Sequence, residues 1–214
     1  MLSHLLRFSF LSAFSLCAIA KPIYISHFST EPLAQWQQKS FAGETDYQII
    51  TLDNKKVLQA HSNDNASSLY KEIRVDLKKT PYLNWSWRND TPLQIKNETI
   101  KQGDDFSARI YIVVKHKWAF WKTKAVNYVW SSHANKNTAW ENPFAGKNVM
   151  MIAIRNQSDN HKTWFHEKRN VLQDFKQQFG EDIQFIDVVA IMTDTDNNHG
   201  NALSYYGDLY FSEQ

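Results

Sequence analysis

The stretch that decides the fold is 103–114, which reads GDDFSARIYIVV. From Phe106 onward an apolar side chain occupies every second position, and the positions between carry a serine, an arginine, a tyrosine and a valine. Because successive side chains of a strand point to opposite faces, this period of two predicts a strand over 106–114 with one face in a core. Asp105, Arg109 and Tyr111 are expected together on the other face. That face is either a ligand-binding surface or a solvated ion pair.

The same alternation, or an apolar run of strand length, recurs along the rest of the chain. Such segments lie at 47–52, 73–77, 83–87, 126–131, 149–154, 185–193 and 204–211. Stretches rich in Asn, Asp, Ser and Gly separate them, as turns do. The spacing predicts eight to ten antiparallel strands and an all-β fold of the sandwich type.

One segment has helical rather than strand periodicity. Asn170 and Gln173 resemble a capping box, and Gly180 stands where a left-handed residue closes a helix. The residues between them place apolar side chains on one stripe. The sequence therefore predicts a single short helix near 170–179.

Composition restricts the class of protein. The 214 residues are 43% hydrophobic and include 8 Trp, 9 Tyr and 13 Phe, which excludes a disordered or low-complexity chain. The 24 basic and 22 acidic residues give a formal charge of +2, too even to indicate a nucleic-acid-binding surface. A chain of this length forms one domain without needing disulfides or metals.

The amino-terminal segment has the features of a secretory signal peptide. Arg7 precedes an apolar run that ends in Ala18-Ile19-Ala20, so cleavage is expected after Ala20. The expected domains are a signal peptide at 1–20 and one β-sandwich at 21–214, periplasmic or secreted and without a transmembrane anchor. Cys17 is the single cysteine, and a lipid-anchored form attached through it is the less favoured alternative because Leu16 precedes it. Cleavage after Ala20 removes Cys17, so the mature chain would hold no thiol for catalysis or metal binding.

Two polar clusters are candidates for a site. In the first, Arg109 near Asp105 has the forked geometry that holds a carboxylate, a phosphate or a sugar hydroxyl. In the second, Asp194 and Asp196 begin a D-x-D-x-N pattern typical of calcium loops. An EF-hand is not expected, because His199 stands where that loop needs glycine. The alternatives are another oxygen-ligand site at Asp194 or Asp196 and a polar turn.

Aromatic residues form a third candidate feature. Flat rings bind the apolar faces of sugars, which favours a glycan ligand, but core packing is the competing interpretation for Trp85, Trp87 and Trp130. Trp118 and Trp121 lie among lysines and are expected at an exposed tip that touches a glycan or a membrane surface. The histidines lack zinc spacing, and the chain has no serine-hydrolase or phosphate-loop motif.

Six pieces occur in a specific order along the chain. They are 103–111, 127–131, 142–144, 169–175, 179–180 and 192–197 before Tyr206-Gly207-Asp208. Together they resemble the bacterial secreted family called domain of unknown function 3047, over about Phe41 to Phe211. The closing strand is similar to the last strand of galactose-binding-like jelly rolls, common in carbohydrate-binding modules. The resemblance implies an antiparallel jelly-roll sandwich and, by analogy with such modules, a structural calcium ion at Asp208.

The sequence favours a non-catalytic protein that binds a glycan or another cell-envelope component. The expected ligand-binding residues are Asp105, Arg109, Asn127, Trp130, Arg169, Asp194 and Asp196. The alternative is a periplasmic polysaccharide hydrolase or lyase in which Asp105 acts as acid or base and Arg109 stabilises charge. Convergence on one pocket with a desolvated carboxylate would favour the enzyme, and salt-bridged or dispersed residues would favour the binder. The sequence pattern specifies no oligomeric state.

Overall fold

A computed structural model describes residues 20–116 and 118–214. The predicted signal peptide lies outside these residues except for Ala20. The described part of the chain forms fourteen strands and one α-helix. Their bounds are β1 Ile23–Tyr24, β2 Gln37–Ala42, β3 Asp46–Leu52, β4 Lys55–Asn63, β5 Ala66–Asp76, β6 Tyr82–Asn89, β7 Arg109–Val114, β8 Lys124–Trp130, β9 Ala139–Asn142, β10 Gly146–Arg155, β11 Phe165–Asn170, α1 Val171–Phe179, β12 Phe185–Asp194, β13 Asn201–Tyr206 and β14 Tyr210–Ser212.

The strands form two sheets of seven. The first has the order β1-β14-β6-β13-β4-β3, with β11 also paired to β6, and the second has the order β2-β5-β12-β7-β8-β10-β9. The β-sandwich prediction is confirmed, with two differences. β8 and β10 pair in parallel, and the described residues contain more strands than the eight to ten expected. The edge strand β2 exposes every residue, so it has no apolar alternation from which it could be predicted.

Aromatic side chains fill the space between the sheets. Trp85 of the first sheet stacks on Tyr128 of the second, with ring centroids 5.4 Å apart. Trp87 lies edge-on to Trp85 and also contacts Trp130, and all three indoles are buried. Such pairs add about 0.5–1.5 kcal/mol beyond the burial of their area. Core packing is therefore what places Trp85, Trp87 and Trp130.

The helix begins and ends where the sequence predicts. The side chain of Asn170 accepts a hydrogen bond from the backbone N–H of Gln173 at 3.0 Å. Gly180 has φ of 69°, a left-handed conformation that glycine adopts without steric cost. Val171 and Phe175 are fully buried against the sandwich, so the apolar stripe attaches the helix to the core.

The start of the deciding stretch departs from the prediction. β7 begins at Arg109, and the preceding residues do not continue the alternation. Ser107 turns inward and accepts a hydrogen bond from Asn89 at 2.7 Å. Phe106 leaves the core face shared by Ala108 and the isoleucines of β7, and it packs in a small separate cluster with Val129, Met151 and Trp140. The prediction of one strand over 106–114 is wrong for residues 106–108, because part of the backbone there bonds to side chains: the N–H of Phe106 donates to Asp194, and the carbonyl of Ser107 accepts from the hydroxyl of Thr193.

The other departure is at the carboxyl end, where 204–211 divides into β13 and β14. Gly207 lies between them, and its N–H donates to the carbonyl of Ser86 at 2.9 Å. A Cβ atom at Gly207 would stand 2.3 Å from the hydroxyl of Ser86. A side chain at this position would therefore require the Ser86 hydroxyl to move away from the turn.

Candidate functional site

A groove of ≈ 710 Å³ runs along the outer face of the second sheet. Its floor is formed by alternate residues of β5, β12 and β7, which the sheet register sets side by side. These floor residues are Ser68, Tyr70, Tyr111, Val113, Val188, Ala190 and Met192. The face that the sequence predicts for Arg109 and Tyr111 is therefore the floor of a concave surface.

The two ends of the groove follow from the register of β12. Asp194 pairs with Ala66 at one end, and Val188 pairs with Glu72 near the other. Six residues of strand separate these ends, which corresponds to about 20 Å. At the far end Glu72 and Lys115 form an exposed ion pair at 2.5 Å.

Two exposed phenyl rings flank the end that contains Asp194. Phe41 is 59% exposed and Phe144 is 57% exposed, and both line the groove. Phe41 precedes Ala42, which pairs with Ala66 beside Asp194. Phe144 follows Asn142, whose amide reaches Asp104. Two exposed rings beside one groove with a polar end form the kind of apolar patch that can contact a ligand.

Between these rings lies the acidic cluster, which consists of Arg109 with the carboxyl groups of Asp104, Asp105, Asp194 and Asp196. Arg109 and Asp194 are almost fully buried and form an ion pair through Nη2. The guanidinium carbon lies 5.1 Å from the ring centre of Phe106, on one side of the cluster. The predicted residues Asp105, Arg109, Asp194 and Asp196 therefore converge.

The hydrogen bonds of Arg109 are incomplete. Nη1 lies 3.7 Å from Oδ1 of Asp104, which is an ion-pair distance but too long for a hydrogen bond. Nη1 and Nε are both buried and have no acceptor among the described residues. A buried donor without an acceptor costs about 1–3 kcal/mol, so this arrangement is not optimised for stability.

Asp105 and Asp104 are held by the surrounding loops. Asp105 accepts hydrogen bonds from the backbone and amide nitrogens of Asn197, both at 3.1 Å, and from the backbone N–H of Asn198 at 2.7 Å. Asp104 accepts from the amide of Asn142 at 3.1 Å through each oxygen. Asp105 does not line the groove, whereas Asp104, Asp194 and Asp196 do. Asp105 is thus placed to fix the loop that carries Asp196.

Burial and mutual repulsion raise the pKa values of Asp104, Asp194 and Asp196. Desolvation raises the pKa of Asp194 well above its ordinary value, against the opposing charge of Arg109. Desolvation also raises the pKa of Asp104, and desolvation together with the charge of Asp105 raises the pKa of Asp196. Burial likewise raises the pKa of the Tyr111 hydroxyl on the groove floor. The cluster therefore combines excess negative charge with poor solvation.

The cluster also has the spacing of a cation site. Oxygens of Asp105, Asp194 and Asp196 lie within 4.8 Å of one another. Arg109 already contacts Asp194, however, and the oxygens of Asp105 accept three hydrogen bonds. The expected calcium ligand Asp208 lies elsewhere, with its carboxylate bonded to the backbone N–H and hydroxyl of Ser29 at 3.0 and 2.6 Å.

Three further candidates from the sequence occupy different places. Asn127 lies opposite Tyr111 on the groove side of the sheet, and its amide nitrogen is 3.3 Å from the sulfur of Met151. Trp130 faces the opposite way, into the core, because it lies an odd number of positions from Asn127 along β8. Arg169 lies on β11 of the first sheet. Asn127, which is fully buried, Trp130 and Arg169 therefore do not line the groove, which corrects their grouping with Arg109.

Arg169 belongs to a second buried network. Its Nε and Nη2 donate to the two oxygens of Asp174 at 3.1 and 2.6 Å, and Nη1 donates to Asn137 at 2.9 Å. The Tyr128 hydroxyl donates to Asp174 at 2.7 Å. Every nitrogen of this guanidinium has an acceptor. The network ties β11 and the helix to the core.

Sequence reasoning missed most of the residues that line the groove, including four at its acidic end. Phe41, Phe144, Asp104 and Asn142 line it. Asn142-Pro143-Phe144 was one of the six pieces of the family resemblance, so an indication of its importance was present. Phe41 gives no such signal, because it lies on a strand without alternation.

The fold is a β-sandwich with a groove on the outer face of one sheet, and a family model matches most of the chain. The chain belongs to the family described as protein of unknown function (DUF3047), whose profile matches residues 34–210. This confirms the resemblance seen in the sequence. No curated protein matches the chain significantly.

Solved structures show the same fold at low identity. The family 30 carbohydrate-binding module of a cellulosomal cellulase from Clostridium thermocellum superposes with a TM-score of 0.52 and 12% identity, over 91% of this chain and 99% of that one. The family 11 module from the same organism, in complex with a β-1,3-1,4-mixed-linked tetrasaccharide, has a TM-score of 0.46 and 10% identity over 89% and 95%. The first of these supports the jelly-roll sandwich.

None of the helices among the described residues is long and apolar enough to span a bilayer.

Proposed function

We propose that the chain is an exported, non-catalytic protein that binds a glycan or another component of the cell envelope in the groove. The observation that carries the proposal is the pairing of Phe41 and Phe144, two exposed rings on opposite sides of a polar-ended groove. Sugar rings offer an apolar face for such aromatics and hydroxyl groups for the polar end. The family 30 module supports the fold on which such a groove is built.

Export belongs to the same proposal. The signal at 1–20 directs the chain to the periplasm or outside the cell, and the mature protein begins at Lys21. A protein exported to the cell envelope is surrounded by polymeric glycans, which are therefore available as ligands. The absence of cysteine after residue 17 is compatible with an oxidising compartment.

The test is a glycan array followed by substitution of the two rings. Phe41→Ala and Phe144→Ala should each weaken binding about tenfold or more, because each removes a stacking surface. Both side chains are exposed, so the free energy of unfolding should change by less than about 0.5 kcal/mol. Tyr24→Ala is the matched control, since Tyr24 is an exposed aromatic on the first sheet. Unchanged affinity in both groove variants would remove the groove as the binding site.

An enzyme remains the second candidate, on a specific observation. Buried Asp194 and the partly exposed Asp196 both line the groove and both have raised pKa values, as a general acid requires. Asp105, the acid or base expected from the sequence, instead holds the loop at 197–198. Cleavage of a bound oligosaccharide that is lost in Asp196→Asn while binding persists would make the chain a polysaccharide-acting hydrolase or lyase.

A further inference from the structure

Charge is distributed unevenly along the groove. The ion pair of Glu72 and Lys115 at the far end is balanced. The acidic cluster at the near end sets four carboxyl groups against the single guanidinium of Arg109. Because these groups are largely buried, water screens their field poorly.

Two lysines stand near this end but do not neutralise it. Lys39 lies over the ring of Phe41 at 5.3 Å, and Lys101 lies over the ring of Phe144 at 5.2 Å. Both lysines are exposed, so salt and water screen them. A ligand that reaches the floor of the near end therefore meets negative charge.

The hydrogen-bonding groups at this end add a second constraint. Asp104 and Asp196 offer acceptors, while Arg109 has two nitrogens without an acceptor, one of them 3.7 Å from Asp104. Both nitrogens are covered by neighbouring atoms, so a side chain at this end must shift before a bound hydroxyl group can accept from the guanidinium while it donates to a carboxylate. A carboxylate, sulfate or phosphate group can only accept, and it adds a negative charge. An ammonium group can only donate, which leaves Arg109 without an acceptor.

We propose that the groove takes an uncharged, hydroxyl-rich saccharide and excludes glycans that carry uronate, sulfate or phosphate groups. The inference rests on the proposed function and names the ligand class for the same site. The sequence alone allows Arg109 to bind an anionic group. The structure places four carboxyl groups around that arginine, so an anion bound there would meet like charge. Selection against anions arises from like charge in a poorly screened site.

The experiment compares neutral, acidic and amino-sugar glycans on one array with the purified protein. A matched pair then measures selectivity: a β-1,4-linked mannose hexamer and a β-1,4-linked mannuronate hexamer, which differ only at C6. Neutral glycans should be bound, and the neutral hexamer should bind at least about tenfold more tightly at low salt. Preference for the acidic or the amino-sugar glycans would overturn the inference alone. Failure to bind any glycan would overturn the proposed function and the inference with it.

A charge variant tests the physical cause. Asp196→Asn removes one negative charge from the cluster with little change in volume, so the selectivity between a bound neutral glycan and its uronate counterpart should fall about tenfold. Asp46→Asn makes the same chemical change on the first sheet and should leave the selectivity unchanged. Raising the salt concentration should lower the wild-type selectivity but not the affinity for the neutral glycan. Equal selectivity in the wild type and Asp196→Asn would contradict the role of the cluster.

Discussion

Arg109 and Arg169 are both held against buried aspartates, yet their surroundings differ. Arg169 gives all three of its nitrogens to acceptors and faces Asp174, so one positive charge meets one negative charge. Arg109 bonds Asp194 through one nitrogen, leaves two without acceptors, and is outnumbered by carboxyl groups. The first pair is satisfied and balanced and serves the fold, whereas the second is unsatisfied and unbalanced and lies beside the groove.

The largest expected effect is at the balanced pair. Asp174→Ala leaves the guanidinium of Arg169 and the hydroxyl of Tyr128 without their main acceptor, and the arginine cannot lose its charge. We expect the free energy of unfolding to fall by about 3–5 kcal/mol, with glycan affinity unchanged in the folded fraction. Chemical denaturation and a binding titration check this. If Asp174→Ala weakened glycan binding and left stability unchanged, the assignment of Arg169 to the fold and not to the ligand site would be wrong.

A smaller, pH-dependent effect is expected at the unbalanced pair. Arg109→Ala removes the one cation of the cluster, but Asp194 and Asp104 can take up protons because burial already raises their pKa values. We expect a loss of about 2–4 kcal/mol at pH 7 that shrinks by about 1–2 kcal/mol at pH 5. Denaturation at the two pH values measures it.

The sign follows from proton binding. A carboxyl group with a raised native pKa binds a proton more tightly in the folded chain than in the unfolded one. Stability is therefore gained as pH falls from the native pKa toward the ordinary value near 3.8, and is lost as pH rises through that window. Asp174→Ala has no such group at its site and serves as the control. A loss in Arg109→Ala that is the same at pH 7 and pH 5 would contradict this account.

The smallest expected effect concerns calcium. If Asp208 holds a structural ion with the neighbouring oxygen of Ser29, calcium at ten times its dissociation constant should raise the melting temperature by about 3–6 °C. Asp208→Asn should abolish the rise, and Asp196→Asn should retain it. If Asp196→Asn instead abolished the rise and Asp208→Asn retained it, the ion would lie in the acidic cluster. If millimolar calcium did not raise the melting temperature of the wild type, the hypothesis of a structural calcium ion would be wrong.

The sequence by itself determined the class of fold and many of the elements. Period-two alternation predicts strands wherever one face is buried, and the cap at Asn170 with Gly180 predicts the helix, because both signals are local. The edge strand β2 escaped detection since an exposed strand has no apolar face. The alternation at 106–108 does not show that two of its backbone groups bond to side chains of the distant strand β12, the N–H of Phe106 to Asp194 at 3.4 Å and the carbonyl of Ser107 to Thr193 at 2.9 Å.

The site was determined only in part. Asp105, Arg109, Asp194 and Asp196 could be selected from their chemistry, but not their convergence, which depends on β7 and β12 being neighbours in the second sheet.

Only the tertiary structure decided which aromatic residues face the groove. Trp130 and Phe144 are both large apolar residues in the sequence, yet one is buried in the core and the other stands beside the groove. Burial depends on which strands and sheets pack against each other, and local sequence does not encode that pairing. The sequence therefore specified the sandwich, and the pairing of distant strands made one of its faces a groove with an acidic end.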